Sequence, residues 1–222
     1  IEMTAVCNAT GLTPQPNGLG FPPSSRFDLA NTCKPTTDGG QLERRGTTEV
    51  VSSLHRDGSD VPHHLAMGTY VVIASETDYA RRCMGEYHML PDSSGCYGTL
   101  YRPTHMIGME LGISVASVAL RGEATGAPIG FHADVVATAK RPLKSGEILD
   151  GEGGACVWGR QLPATSSLAL GALPLGLAGE VRLVRDVETD SVLTWDDVML
   201  DENDAAVQAR REMEHAFARQ AH

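Results

Sequence analysis

The chain has 222 residues, 41% of them hydrophobic but only 5% aromatic, so any core must rest on Ala, Val, Leu and Ile. With 28 acids against 18 bases it carries a formal charge of -10, which excludes a nucleic-acid backbone binder and adhesion to anionic lipid. No apolar run reaches membrane-spanning length and no secretory leader pattern is present, so the expected class is an acidic, turn-rich, cytoplasmic protein.

In chain order, Ile1–Val6 reads as a helix already under way, closed by Gly11 as a C-terminal cap. That start reads as the back part of a longer protein. Residues 12–48 are irregular: Pro14, Pro16, Pro22 and Pro23 with Gly18 and Gly20 forbid a regular helix, and Asp38-Gly39-Gly40 forms a tight turn. A loop of that length is usually functional or an interface arm. Residues 70–74 predict a buried strand, 86–90 a second strand and 98–102 a third. Thr104 then caps a helix from about His105 to Leu120, with Met106, Met109, Ile113, Ala116 and Leu120 at helical spacing and Gly122 as its stop.

Composition changes near residues 126–130, after which 133–139 is a β-branched run and 147–149 a further strand. Residues 139–149 overlay on 183–193, placing Arg141 on Arg185 and Leu149 on Leu193. Two such strand–turn–strand copies imply a small β-domain with internal pseudo-symmetry. Residues 203–222 are helical in composition, with Val207, Met213 and Phe217 on a narrow apolar stripe suited to docking or dimerisation. The expected fold class is α+β: an irregular α/β region over 1–130, a small β-domain over 131–201 and a helical tail over 202–222. Five dispersed cysteines without CxxC spacing read as buried thiols, not a disulfide framework.

The stretch Val135-Val136-Ala137-Thr138-Ala139-Lys140-Arg141-Pro142-Leu143-Lys144-Ser145-Gly146-Glu147-Ile148-Leu149 resembles the opening of a SAF domain, a family with a β-clip fold. Its second half is similar to residues 173–178, 181–186 and 193–198, with Asp190 where the family usually has Gly. The front part, through Glu2–Leu12, Cys33-Lys34-Pro35, Asp38-Gly39-Gly40, Leu100–His105 and Arg121–Thr125, resembles homoserine-dehydrogenase-like oxidoreductases of the DRL type that carry a C-terminal SAF domain. That resemblance implies an NAD(P)-dependent, 1-deoxy-D-xylulose 5-phosphate reductoisomerase-like activity on a phosphorylated keto-sugar in a homo-oligomer. It also implies that NADP or NAD is held by an N-terminal Rossmann domain absent from this chain. Gly18-Leu19-Gly20-Phe21 runs into Pro22-Pro23 and cannot open the βα turn a dinucleotide needs.

Such a reaction needs a phosphate clamp, an electrophile on oxygen and a shuttled proton. Lys34, beside the Asp38-Gly39-Gly40 turn, can hold phosphate or polarise an oxygen; a solvated surface lysine is the plain alternative. Arg102 and His105 flank a strand-to-helix corner suited to an anion, the Arg as a bidentate fork and the His as donor or proton carrier. Glu110, an acid among apolar helix residues, must face a partner charge, a metal or a cleft. It is the acid–base candidate and, with Mg or Mn, a possible ligand. Arg121 and Glu123 are further substrate-binding candidates, with a helix-end charge cap as their alternative. Glu86 and His88 on one strand face, or His63-His64, fall short of a zinc motif. Two rivals stand beside this reading: a homoserine-like or sugar-acid dehydrogenase of the same family, and a stand-alone SAF-type carbohydrate-binding module. A dinucleotide-binding segment encoded directly upstream separates the enzyme from the module.

Overall fold

In the computed structural model, which describes residues 1–218, the chain clusters into two units: Ile1–Leu19 with the segment from Pro128 onward, and Gly20–Ala127. The first element, α1 (Glu2–Thr10), ends as the sequence predicts at Gly11, whose φ of 78° is left-handed and whose N–H bonds to Cys7 O at 2.9 Å. It belongs with the late segment because Asn8 stitches it there. Asn8 Oδ1 accepts from the His132 and Ala133 N–H groups at 2.7 and 3.0 Å, and Nδ2 donates to Ala133 O at 3.1 Å.

The middle unit contains α2 (Leu29–Thr32), β1 (Thr69–Ala74), α3 (Asp78–Glu86), β2 (Leu90–Pro91), β3 (Tyr97–Arg102) and α4 (Leu111–Arg121). Its sheet is antiparallel in the order β1-β3-β2, with Thr69 opposite Arg102 and Ala74 opposite Tyr97. The strand expected at 70–74 is present but not buried: it alternates exposed with half-buried residues, and Val71 and Ile73 are 50% and 41% exposed. The strand expected at 86–90 is instead the end of α3 and a turn. Thr77 Oγ1 accepts from the Ala80 N–H at 3.1 Å and starts that helix, which outweighs the β propensity of Tyr87 and its neighbours. Glu86 closes α3 while His88 sits in a left-handed turn at φ 56°, so the two share no strand face.

Helix α4 starts at Leu111, six residues later than predicted, because Gly108 at φ 84° breaks the helical path. Gly122 stops it as expected, at φ 68°. The predicted apolar stripe is not a core face: Ile113 and Leu120 are 65% and 83% exposed, and the buried position is Ser117, whose Oγ donates to Glu123 O at 2.8 Å.

The remaining elements are β4 (Ala133–Ala139), β5 (Ile148–Asp150), β6 (Val157–Pro163), α5 (Ala164–Leu170), β7 (Gly179–Leu183), β8 (Val198–Met199) and α6 (Ala205–Ala218). β4 pairs antiparallel with β6, and β5, β7 and β8 form a second antiparallel sheet in the order β5-β7-β8. The internal repeat is realised as a reciprocal bond set. Leu143 and Val187, equivalent in the overlay, exchange N–H···O bonds of 2.8 and 3.0 Å. Gly146 N–H to Leu183 O at 2.8 Å is mirrored by Asp190 N–H to Ala139 O at 2.9 Å. Gly146 and Asp190 are both left-handed, at φ 86° and 61°, so Asp190 fills the glycine position of its copy. Leu143, Leu149, Leu173, Leu183 and Leu193 are all at most 1% exposed, and each such burial is worth about 1.5–3 kcal/mol.

Helix α6 starts at Asp204, whose Oδ1 accepts from the Ala206 and Val207 N–H groups at 2.8 and 3.2 Å. It docks on its own unit: Val207 is buried, the Phe217 and Phe131 rings meet at 5.7 Å, and Arg210 pairs with Asp134 at 2.5 Å. The last part of the predicted tail, 219–222, lies outside the described residues. All five cysteines are free thiols, and Cys7, Cys33 and Cys156 are buried.

Candidate functional site

Three of the predicted residues meet at the β3–α4 corner. Glu110 occupies the N-cap position of α4, not the helix interior. Its Oε1 lies 2.6 Å from an Arg102 guanidinium nitrogen, and its Oε2 lies 3.0 Å from His105 Nδ1. The bond from His105, the backbone around Met106 and the Arg102 charge together hold the Glu110 carboxyl below its ordinary value. Glu110 is therefore a carboxylate at neutral pH, and a carboxylate only accepts. The proton of the shared bond resides on His105 Nδ1, which leaves Nε2 of a half-exposed ring to give or take a proton.

A strained loop supports this corner. His63 and Met67 both take left-handed conformations, at φ 55° and 64°, which cost a non-glycine residue about 1–3 kcal/mol each. Met67 O receives the His105 N–H at 2.6 Å, and His63 O receives the Arg26 N–H at 2.9 Å. Gly68 lets the loop close onto β3, since a Cβ there would stand 2.6 Å from Arg102 O. His64 Nδ1 accepts from the Ala66 N–H at 3.2 Å, so its Nε2 carries the proton. At the loop's other end, Arg26 Cζ stands 4.9 Å from the Phe27 ring and 5.9 Å from the Tyr101 ring.

Lys34 lies elsewhere. It is 6% exposed, and its Nζ donates to Asp92 Oδ2 at 2.7 Å. Asp92 also accepts from Ser94 Oγ at 2.7 Å and from the Tyr97 N–H at 3.1 Å. Burial pushes the Asp92 carboxyl up, but the bonds from Lys34, Ser94 and Tyr97 outweigh it and bring the pKa to about 2. Gly40 is required beside this pair because a Cβ would collide with Lys34 O. Tyr97 OH bonds to Asp38, and Arg45 Nε donates to the same oxygen at 3.1 Å. The Lys34–Asp92 pair thus serves the start of β3, and Arg102 its end, about 17 Å away along a six-residue strand. Arg121 and Glu123 pair with each other at 3.6 Å at the far end of α4, about 15 Å of helix from Glu110.

Asp92, Tyr97 and Arg26 escape the sequence reading, and His63 enters it only as half of a His63-His64 pair that falls short of a zinc motif. The Asp92-Ser93-Ser94-Gly95 turn was a usable signal for the first of these; Arg26 has no spacing signature. No helix opens directly at Gly18–Pro23, the next being the four-residue α2 from Leu29, so those residues do not form the strand–turn–helix that holds a dinucleotide. Among the described residues no group of three or more His, Cys, Asp or Glu side chains can hold a metal, and both Glu110 oxygens already face Arg102 and His105. The β unit has a cleft of about 310 Å³ bordered by Val135, Lys140, Glu152 and Trp158, which holds none of the predicted site residues. No helix among the described residues is long and apolar enough to cross a membrane.

No curated protein matches the chain. Residues 1–111, half of its length, match the family model of the catalytic domain of the oxidoreductase DRL, a segment holding Lys34, Arg102, His105 and Glu110 but not Arg121 or Glu123. The chain belongs to the DRL oxidoreductase family.

Proposed function

We propose that this chain supplies the substrate-binding and proton-handling part of an NAD(P)-dependent oxidoreductase that reduces and rearranges a phosphorylated keto-sugar. The observation that carries the reading is the Arg102–Glu110–His105 cluster inside the segment that matches the DRL catalytic domain. In this reading the nicotinamide dinucleotide belongs to a segment outside these residues. The chain's own work is to orient the substrate and to move a proton. His105 Nε2 exchanges the proton with a substrate oxygen, while Glu110 fixes the ring through Nδ1. Arg102 pairs with Glu110 and offers its remaining N–H donors to the substrate. The buried Lys34–Asp92 pair holds the 34–40 turn and the β2–β3 hairpin together as the frame of the site.

The late unit is read as a SAF-type β-clip, supported by its reciprocal pseudo-two-fold bonds. A second copy of the chain is part of the reading. α4 carries one charge, Arg121, on an otherwise uncharged and exposed apolar surface, and a two-fold partner presents the same surface in return. The test is turnover by the full-length enzyme. NADPH consumption with 1-deoxy-D-xylulose 5-phosphate, and none with its unphosphorylated analogue, supports the reading. Faster turnover with homoserine or a sugar acid replaces the substrate.

A further inference from the structure

Helix α4 is built inside out. Its polar side chains face its own chain: buried Ser117 donates to Glu123 O at 2.8 Å, half-buried Ser114 meets Thr125 Oγ1 at 2.8 Å, and Arg121 donates back to Ser117 Oγ at 3.0 Å. Its apolar side chains face outward. The eight large apolar residues from Met106 to Leu120 are 45–83% exposed. Together they present roughly 900 Å² of apolar surface, above the ~300–600 Å² of the largest patch on a typical monomer and close to the ~800 Å² that each partner gives a standard interface.

The helix is also too short to be stable by itself in water. It has 11 residues, below the ~12–15 at which an isolated helix becomes even marginal, and Gly112, Ile113, Val115 and Val118 lower its propensity further. Its outer face has a definite relief. Gly112, Ala116 and Ala119, all exposed, form a strip of small side chains opposite the serines, with Leu111, Val115 and Val118 on one flank and Ile113 and Leu120 on the other. A Cβ at Gly112 would meet no atom within 4 Å. A groove between two apolar ridges fits a second helix of the same kind, each ridge entering the other's groove. The strip carries no charge, so two copies of a chain of net charge -10 meet there without opposing like charges.

We infer that α4 packs against the α4 of a second copy across a two-fold axis near Ala116, its middle residue, and that this contact keeps Glu110 in place at the start of the helix. This contact rests on the reading that a second copy is part of the enzyme, and gives that copy a place and an effect on the site. Glu110 is the N-cap of α4 and the partner of both Arg102 and His105. In a lone protomer α4 frays, and its first turn takes Glu110 away from His105 Nδ1. The proton-handling corner is therefore complete only in the assembled enzyme.

The test is sedimentation of the full 222-residue chain together with NMR of its histidine rings. The wild-type chain is expected to sediment as a dimer at micromolar concentration. Ala116→Glu or Ala116→Lys alone, each opposing like charges across the axis, is expected to weaken association about 100-fold or more. Tyr79→Glu, at an exposed position on α3, leaves association unchanged. An equimolar mixture of the two Ala116 variants is expected to restore the dimer, which also shows that both still fold. The His105 ring signal, assigned by its loss in His105→Gln, is expected to shift in each monomeric variant and return in the mixture, although residue 116 stands about 9 Å of helix from Glu110. A wild-type dimer that survives either charge, or a mixture that stays monomeric, overturns the α4 contact and leaves the second-copy reading standing. A monomeric wild type overturns both, and a lost dimer with an unmoved His105 signal overturns the coupling to the site.

Discussion

The two units solve the problem of internal order differently. The β unit is built on an apolar cluster centred on Leu143, Leu149, Leu173, Leu183 and Leu193, all essentially inaccessible. The middle unit buries Ser24, Thr32, Lys34, Thr48, Glu49, Ser75, Asp92 and Thr99, while leaving Val71, Ile73, Leu100 and most of α4 exposed. Glu49 shows how the polar side is used: its carboxylate accepts from the N–H groups of Gly20, Phe21 and Val50. Apolar packing is non-directional and tolerates a repeat, as the overlaid copies show. Hydrogen-bonded packing is directional and fixes individual side chains, which a site requires. The unit with the weaker apolar core is the one that carries the candidate chemistry.

Breaking the buried ion pair should give the largest effect on stability. Asp92→Ala strands the Lys34 charge and is expected to cost about 3–5 kcal/mol in thermal or urea unfolding. The native Asp92 pKa of about 2 lies below the unfolded value near 4, so its stabilisation is complete above that value and is lost as pH falls toward 2. An acid-unfolding curve of the variant should lack this contribution; an unchanged curve would remove Asp92 from the account. Leu193→Ala, the apolar counterpart, is expected to cost about 2–5 kcal/mol with no such pH dependence. Urea curves at pH 4 and 7 separate the two mechanisms. The smallest effects test the pseudo-two-fold. Gly146→Ala places a Cβ in a left-handed position and should lose about 1 kcal/mol, whereas Asp190→Gly relieves the same strain and should shift the melting temperature up or leave it unmoved. A stabilising Gly146→Ala would mean that the two turns are not equivalent.

How much of this was legible follows from the same contrast. The strand at 133–139, the caps at Gly11 and Gly122, and the overlay of 139–149 on 183–193 all rest on local conformational rules, and these appear in the structure. Arg102, His105 and Glu110 were legible as a corner because they lie within nine residues of one another. Their roles were not. Gly108 moved the helix start to Leu111, turning an interior acid into an N-cap residue bound by two neighbours. Residues 86–90 misled because Thr77, nine residues upstream of Glu86, sets the helix. Lys34 was legible as a special lysine, but its partner is 58 residues away and no periodicity links them.

The central claim is that the Arg102–Glu110–His105 corner handles the reacting proton, and Glu110→Gln in the full-length enzyme tests it most directly. The substitution keeps the shape and removes the charge that fixes the imidazole. The account predicts turnover reduced by a factor of about 10² to 10⁴ with the melting temperature little changed. A variant that unfolds, while the molecules that remain folded turn over at the native rate, would contradict it and make Glu110 a structural ion-pair partner.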